Sequence, residues 1–79
     1  MKYRVKTFGI ARDILGSKEV TLEINGTKVI DLRTDLAKHY PKLGSLQSLF
    51  IAVNQHYAAD DTQLLESDEI ALIPPVSGG

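Results

Sequence analysis

Lys2-Tyr3-Arg4-Val5-Lys6-Thr7 near the start of the chain and Glu69-Ile70-Ala71-Leu72-Ile73 near its end decide the fold. Both alternate with a period of two, the pattern of half-buried strands. In the first stretch Tyr3, Val5 and Thr7 share one face and Lys2, Arg4 and Lys6 the other. In the second, Ile70 and Leu72 face inward. Two strands that alternate this clearly are natural neighbours at the centre of a sheet with one covered face.

Between them, Gly9 to Gly16 is bounded by glycines and has room for one or two helical turns. Glu19 to Ile24 alternates again, with Val20, Leu22 and Ile24 inward, and is antiparallel to the first strand if the two form a hairpin around residues 9–16. Asn25-Gly26 is a turn signal, after which Thr27 is a candidate helix cap. Val29, Leu32, Leu36, Ala37 and Tyr40 recur at helical spacing, and Tyr40-Pro41 stops the helix. Leu43 to Ser48 reads as a loop, Leu49 to Val53 as a short strand, and the residues around Tyr57 as another. Leu64-Leu65-Glu66-Ser67-Asp68 reads as a turn with two apolar anchors. The order predicts an α+β fold of the β-grasp, or ubiquitin-like, kind. One main helix packs on one face of a mixed sheet, residues 1–73 form the domain, and residues 74–79 form a flexible C-terminal tail.

Two residues break the pattern. Phe8 continues the charged face of the first strand, and Ile73 points away from the helix in the last. Either the first strand ends at Thr7 and Phe8 turns inward, or both residues stay outside. If the strands are parallel neighbours, Phe8 and Ile73 then meet at the root of the tail as a docking patch. Tyr57 is a third candidate whose register the pattern does not fix.

The chain has 79 residues, 43% apolar and 24% charged, which is the composition of one folded domain. Nine basic and ten acidic residues give a net charge of −1, without the basic surface that non-specific nucleic-acid binding requires. No apolar run approaches the roughly 20 residues that span a bilayer. Met1-Lys2-Tyr3-Arg4 leads into a strand rather than an apolar leader, and there is no cysteine. A cytoplasmic location is therefore expected, and any sulfur the protein handles is not held on its own side chains.

The chemistry points to the tail, Pro74-Pro75-Val76-Ser77-Gly78-Gly79. The two prolines hold the backbone extended, and the two glycines carry no β-carbon into a narrow channel. Six residues reach at most about 20 Å. Read as the chain end, Gly79 carries an α-carboxylate of pKa ~3.3–3.7, ionised at neutral pH. A carboxylate resists nucleophiles until it is activated, for example as an acyl-adenylate. The activated group then accepts sulfur, or is joined to an amine or thiol, inside a partner enzyme.

Other constellations are weaker. His39 and His56 lie on different elements, so no metal site is expected. Asp60-Asp61 and Asp68-Glu69 fit turn and cap roles better than a cation loop. Ser77 has no base partner.

With these residues in view, the chain resembles the MoaD-like sulfur-carrier family, the small subunits of molybdopterin synthase. The resemblance is carried by Phe8-Gly9-Ile10-Ala11-Arg12-Asp13, Ala52-Val53-Asn54-Gln55, Leu65-Glu66-Ser67-Asp68-Glu69-Ile70-Ala71 and the terminal Pro74-Pro75-Val76-Ser77-Gly78-Gly79. It implies that a ubiquitin-activating-like adenylyltransferase spends ATP to adenylate Gly79. A sulfur-delivering enzyme then converts Gly79 to a thiocarboxylate. The tail, residues Pro74, Pro75, Val76, Ser77 and Gly78, enters the large subunit, which holds the catalytic residues and moves the sulfur to a pterin precursor. It also implies a heterotetramer, no bound cofactor, and docking through Phe8, Ile73 and Tyr57. One departure is Ser67, where the family commonly has glycine, so a different turn is expected there. The alternatives are a carrier of the same fold for another acceptor, such as thiamin thiazole or transfer RNA, a ubiquitin-like modifier of lysines, and an interaction domain with an inert tail.

Overall fold

A computed structural model describes residues 1–45 and 49–74. The tail residues Pro75, Val76, Ser77, Gly78 and Gly79, and residues 46–48 of the expected loop, lie outside the described residues. The elements are β1 (Lys2–Thr7), α1 (Gly9–Leu15), β2 (Glu19–Glu23), α2 (Val29–His39), α3 (Pro41–Gly44), β3 (Phe50–Val53), β4 (His56–Tyr57) and β5 (Ile70–Ile73). The strands form one sheet in the order β2-β1-β5-β3-β4.

β1 and β5 are the expected neighbours and run parallel, with Val5 opposite Ile70, Lys6 opposite Ala71 and Thr7 opposite Leu72. β2 is antiparallel to β1, and β3 is antiparallel to both β5 and β4. This is the β-grasp arrangement. Tyr3, Val5, Ile51, Ile70 and Leu72 come from the covered face of the sheet and are fully buried against Val29, Leu32 and Leu36 of α2. Each such aliphatic side chain contributes about 1.5–3 kcal/mol of burial.

The alternation of β2 is correctly phased, but only Ile24 is fully buried; Val20 and Leu22 are partly covered because β2 is an edge strand. Ile24 is pinned instead by two bonds with Met1, donating from its amide and accepting from the chain's amino group.

Four local readings are corrected. Thr27 does not cap α2. The first helical amides, of Val29 and Ile30, donate to the carbonyls of Thr62 and Asp60, so the neighbouring loop occupies the capping position. Asp31 reaches back to accept from the amides of Thr27 and Lys28, and its carboxyl lies where a β-carbon on Gly26 (φ +121°) would sit. Ala37 is exposed rather than in the core stripe, on the side of α2 that meets Gly44. Leu43, expected to open a loop, lies instead in the short helix α3 that Pro41 starts, and it is buried. Only Leu64 anchors the turn at 64–68; Leu65 points to solvent.

The turn between β3 and β4 explains two of the sequence blocks. Asn54 and Gln55 both have positive φ, 52° and 70°, which brings Val53 opposite His56. Asparagine tolerates this conformation because its short amide can bond locally. Here the Asn54 amide nitrogen donates to Asp68 Oδ1, while its oxygen accepts from the Glu69 amide. Asp68 also accepts from the Leu65 amide. Ser67 is not among the positive-φ residues, so serine carries no left-handed strain there. Asn54→Ala removes two bonds and leaves a poor residue in the left-handed region. It should cost about 2 kcal/mol in a urea unfolding curve. Asn54→Gly should recover only the backbone part.

Candidate functional site

Phe8 follows the end of β1, at the N-cap of α1, and points away from the core. Thr7 before it is buried, its amide donating to the Lys18 carbonyl and its hydroxyl to the Ser17 carbonyl. Those bonds fix the phase of the strand end, so Phe8 does not turn inward; it is 50% exposed. Of the two readings left open by the sequence, the outward one holds.

Ile73 lies at the end of β5 on the same helix-free face, half-buried. Tyr57, opposite Ala52 in the β3–β4 ladder, is 70% exposed. Phe8, just after β1, with Ile73 and Tyr57, at the ends of β5 and β4, lines one groove of about 400 Å³, floored by Ala52 and Ala71. The register produces this floor, since Ala52 pairs with Ala71 across the two strands. Small residues in the middle and large ones at the rim make the depression.

Phe50 adds to this face and was not singled out from the sequence. It stacks on Tyr57 with ring centroids 5.2 Å apart, sits opposite Ile73 in the β3–β5 ladder and is 49% exposed. The signal was available: once Ile51 is placed inward, alternation sends Phe50 and Ala52 outward. An exposed cluster of this kind on a small domain is a mark of a binding surface.

The groove has a charged border. Lys6 Nζ and Glu69 Oε1 form an ion pair at 2.7 Å. The hydrogen bond from Lys6 and then its charge hold Glu69 below its ordinary 4.5, and the same two causes raise Lys6 above 10.5. The Glu69 contribution is present above pH 4.5 and is lost as pH falls through its lower folded value. The Lys6 contribution is present below pH 10.5 and is lost as pH rises through its higher folded value. Between these limits the pair is intact, and being exposed it marks the edge of the apolar area more than it stabilises the fold.

The tail begins at this groove. Pro74 follows Ile73 directly and lies over Gly9, next to Phe8. Gly79, expected to be the reactive residue, is outside the described residues. Among the described residues no group of three or more His, Asp or Glu is arranged to hold a metal ion. His39 sits 3.5 Å from Asp35 on the same helix, and His56 is exposed at the start of β4. No described helix is long and apolar enough to cross a membrane.

Residues 5–79 match the sequence profile of the ThiS family. The chain is 39% identical to the molybdopterin synthase sulfur carrier subunit of Mycobacterium tuberculosis, covering 100% of this chain and 99% of that one. Its fold matches the crystal structure of SAMP1 from Haloferax volcanii with a TM-score of 0.80 and 28% identity, over 100% of both chains. It also matches a chain in the complex of subunits 1 and 2 of the molybdopterin-converting factor from Helicobacter pylori, with a TM-score of 0.68 and 29% identity over 100% of both.

Proposed function

The chain belongs to the ThiS family, and from that premise we propose that it is the sulfur-carrier subunit of a molybdopterin synthase, acting in molybdenum cofactor biosynthesis. It is not itself catalytic; it brings sulfur to a site on a larger subunit. Residues 1–73 are the docking body and residues 74–79 the delivery arm. The observation that carries this reading is the groove at the foot of the arm, where Phe8, Ile73 and Tyr57 converge beside Pro74.

Sulfur is carried on Gly79. An adenylating enzyme attacks the α-phosphate of ATP with the Gly79 carboxylate, releasing pyrophosphate and leaving an acyl-adenylate. A sulfur-delivering enzyme supplies sulfur to that carbonyl, AMP leaves, and a thiocarboxylate results. The larger subunit then receives the tail in its active site and passes the sulfur to the pterin precursor. The contact with this subunit falls to Phe8, Ile73, Tyr57 and Phe50, the exposed apolar side chains of the helix-free face; the similar Helicobacter pylori chain supports the pairing of the subunits itself. The absence of cysteine keeps the transfer on one atom, with no thiol on the chain to intercept the activated carbonyl.

The test is the intact mass of the protein after incubation with the activating enzyme, ATP and a sulfur source. It should rise by the difference between one sulfur and one oxygen. Adding the larger subunit and the pterin precursor should return the mass to its starting value while the dithiolene product appears. An unchanged mass in the first step sinks the carrier reading. The likeness to SAMP1, a small archaeal modifier protein, favours a second reading, attachment of Gly79 to lysines of other proteins. In that case the activated chain forms higher-mass adducts that hydroxylamine does not reverse.

A further inference from the structure

We infer that Gly9 is a positioning residue: its bare α-carbon is the seat of the Pro74 ring, and that contact sets the direction in which the tail leaves the sheet. The inference rests on the reading of the tail as the sulfur-carrying end.

Gly9 has φ +55°, and a β-carbon built on it would lie 3.2 Å from Pro74 Cγ. That is inside the ~3.5–4.0 Å of a comfortable carbon–carbon contact. Gly16 provides a comparison within the same chain. It also has a positive φ, +80°, but a β-carbon there would meet nothing within 4 Å. Gly16 is needed for backbone conformation alone, whereas Gly9 is needed for conformation and for space. The space is taken by the first residue of the tail.

The position gives this contact leverage. Pro74 follows Ile73, the last residue of β5, and β5 is held on both sides by β1 and β3. Pro74 is therefore the first point at which the chain can change direction. Gly79 is five residues further on, about 17 Å when extended, so a tilt of about 10° at Pro74 moves the far end by about 3 Å. Misplacing a reacting group by about 1 Å can cost about 10²-fold in rate. Proline is suited to the seat because its ring fixes its own φ and presents a rigid surface to the Gly9 backbone.

The experiment is a double-mutant cycle read by ATP–pyrophosphate exchange with the activating enzyme, using wild type, Gly9→Ala, Pro74→Ala and the double variant. Gly9→Ala should lower kcat about tenfold or more while KM for the carrier holds, since the docking face is intact. Pro74→Ala should lower kcat too, because the ring that rests on Gly9 is gone. In the Pro74→Ala background, Gly9→Ala should then cost little. Equal losses in both backgrounds overturn the inference and place the effect in the strained backbone at residue 9. A Pro74→Ala chain as fast as wild type overturns it even if Gly9→Ala does not fold. A wild-type chain that is not adenylated overturns both the tail reading and this inference. A wild type that is adenylated, with additive variants, overturns the inference alone.

Discussion

A chain lacking Gly79 is expected to accept no sulfur, while its thermal unfolding matches that of the full sequence. The truncated chain still ends in a carboxylate, on Gly78, so the loss is not one of chemical type. It is one of reach and register. Each extended residue spans about 3.3–3.6 Å, so the reactive carbonyl stops short by that distance. Adenylation needs the attacking oxygen within near-attack distance of the α-phosphate, and a 1 Å error already costs about 10²-fold. A shortfall more than three times larger should reduce turnover by more than about 10³-fold. The fold is insulated from this change, because the buried core is drawn from residues 3–72. Intact mass after the activation reaction measures the first effect, and a melting curve the second. A truncated chain that still gains sulfur would move the reactive group off the terminus. One that unfolds would make the tail a structural element.

Replacing Phe8 or Ile73 by aspartate should weaken binding to the larger subunit by about 2–4 kcal/mol each, about 30- to 900-fold in Kd. Both side chains stand on the helix-free face, at the rim of one groove. A partner docked on the groove takes that rim out of water. An aspartate there must be desolvated without a partner, which adds to the lost apolar contact. Phe8 is the cleaner probe, since half of its surface is already exposed and the domain needs it least. Ile73 is half-buried and directly opposite Phe50, so its replacement should also cost some stability, which a melting curve separates from affinity. Isothermal titration with the larger subunit reads the result. Unchanged affinity in both variants removes the groove from the interface.

The centre of the fold was readable because the inward positions of β1 and β5 recur with a period of two. That alternation placed Tyr3, Val5, Ile70 and Leu72 inside and made the two strands neighbours; that they run parallel is shown by the structure. The same phase singled out Phe8 and Ile73 as misplaced, and the structure shows why both stay outside. Tyr57 was harder. Its strand is only two residues long, and its register comes from two left-handed residues, Asn54 and Gln55, neither of which is glycine. Phe50 was missed because the strand at 49–53 was recognised but not phased. The cap of α2 was misread because its donors are satisfied by the carbonyls of Asp60 and Thr62, about thirty residues away, and no local pattern records such a contact. Gly9 was noticed as a helix boundary, but its closeness to Pro74 depends on β1 and β5 being parallel and in register.

The place of β5 has a consequence for how the protein comes into being. The β1–β2 hairpin and the β3–β4 hairpin are local structures, yet they never touch each other along a strand; β5 lies between them as the last strand to be made. A nascent or proteolytically shortened chain ending before Ile70 holds two half-sheets with no strand to join them and edges left unpaired. Such contacts close late because they pair distant parts of the sequence. The foot of the arm and the groove beside it therefore come into existence together, in the same closing step. A partner that docks on the groove, as proposed above, therefore meets it only on a chain whose sheet is closed.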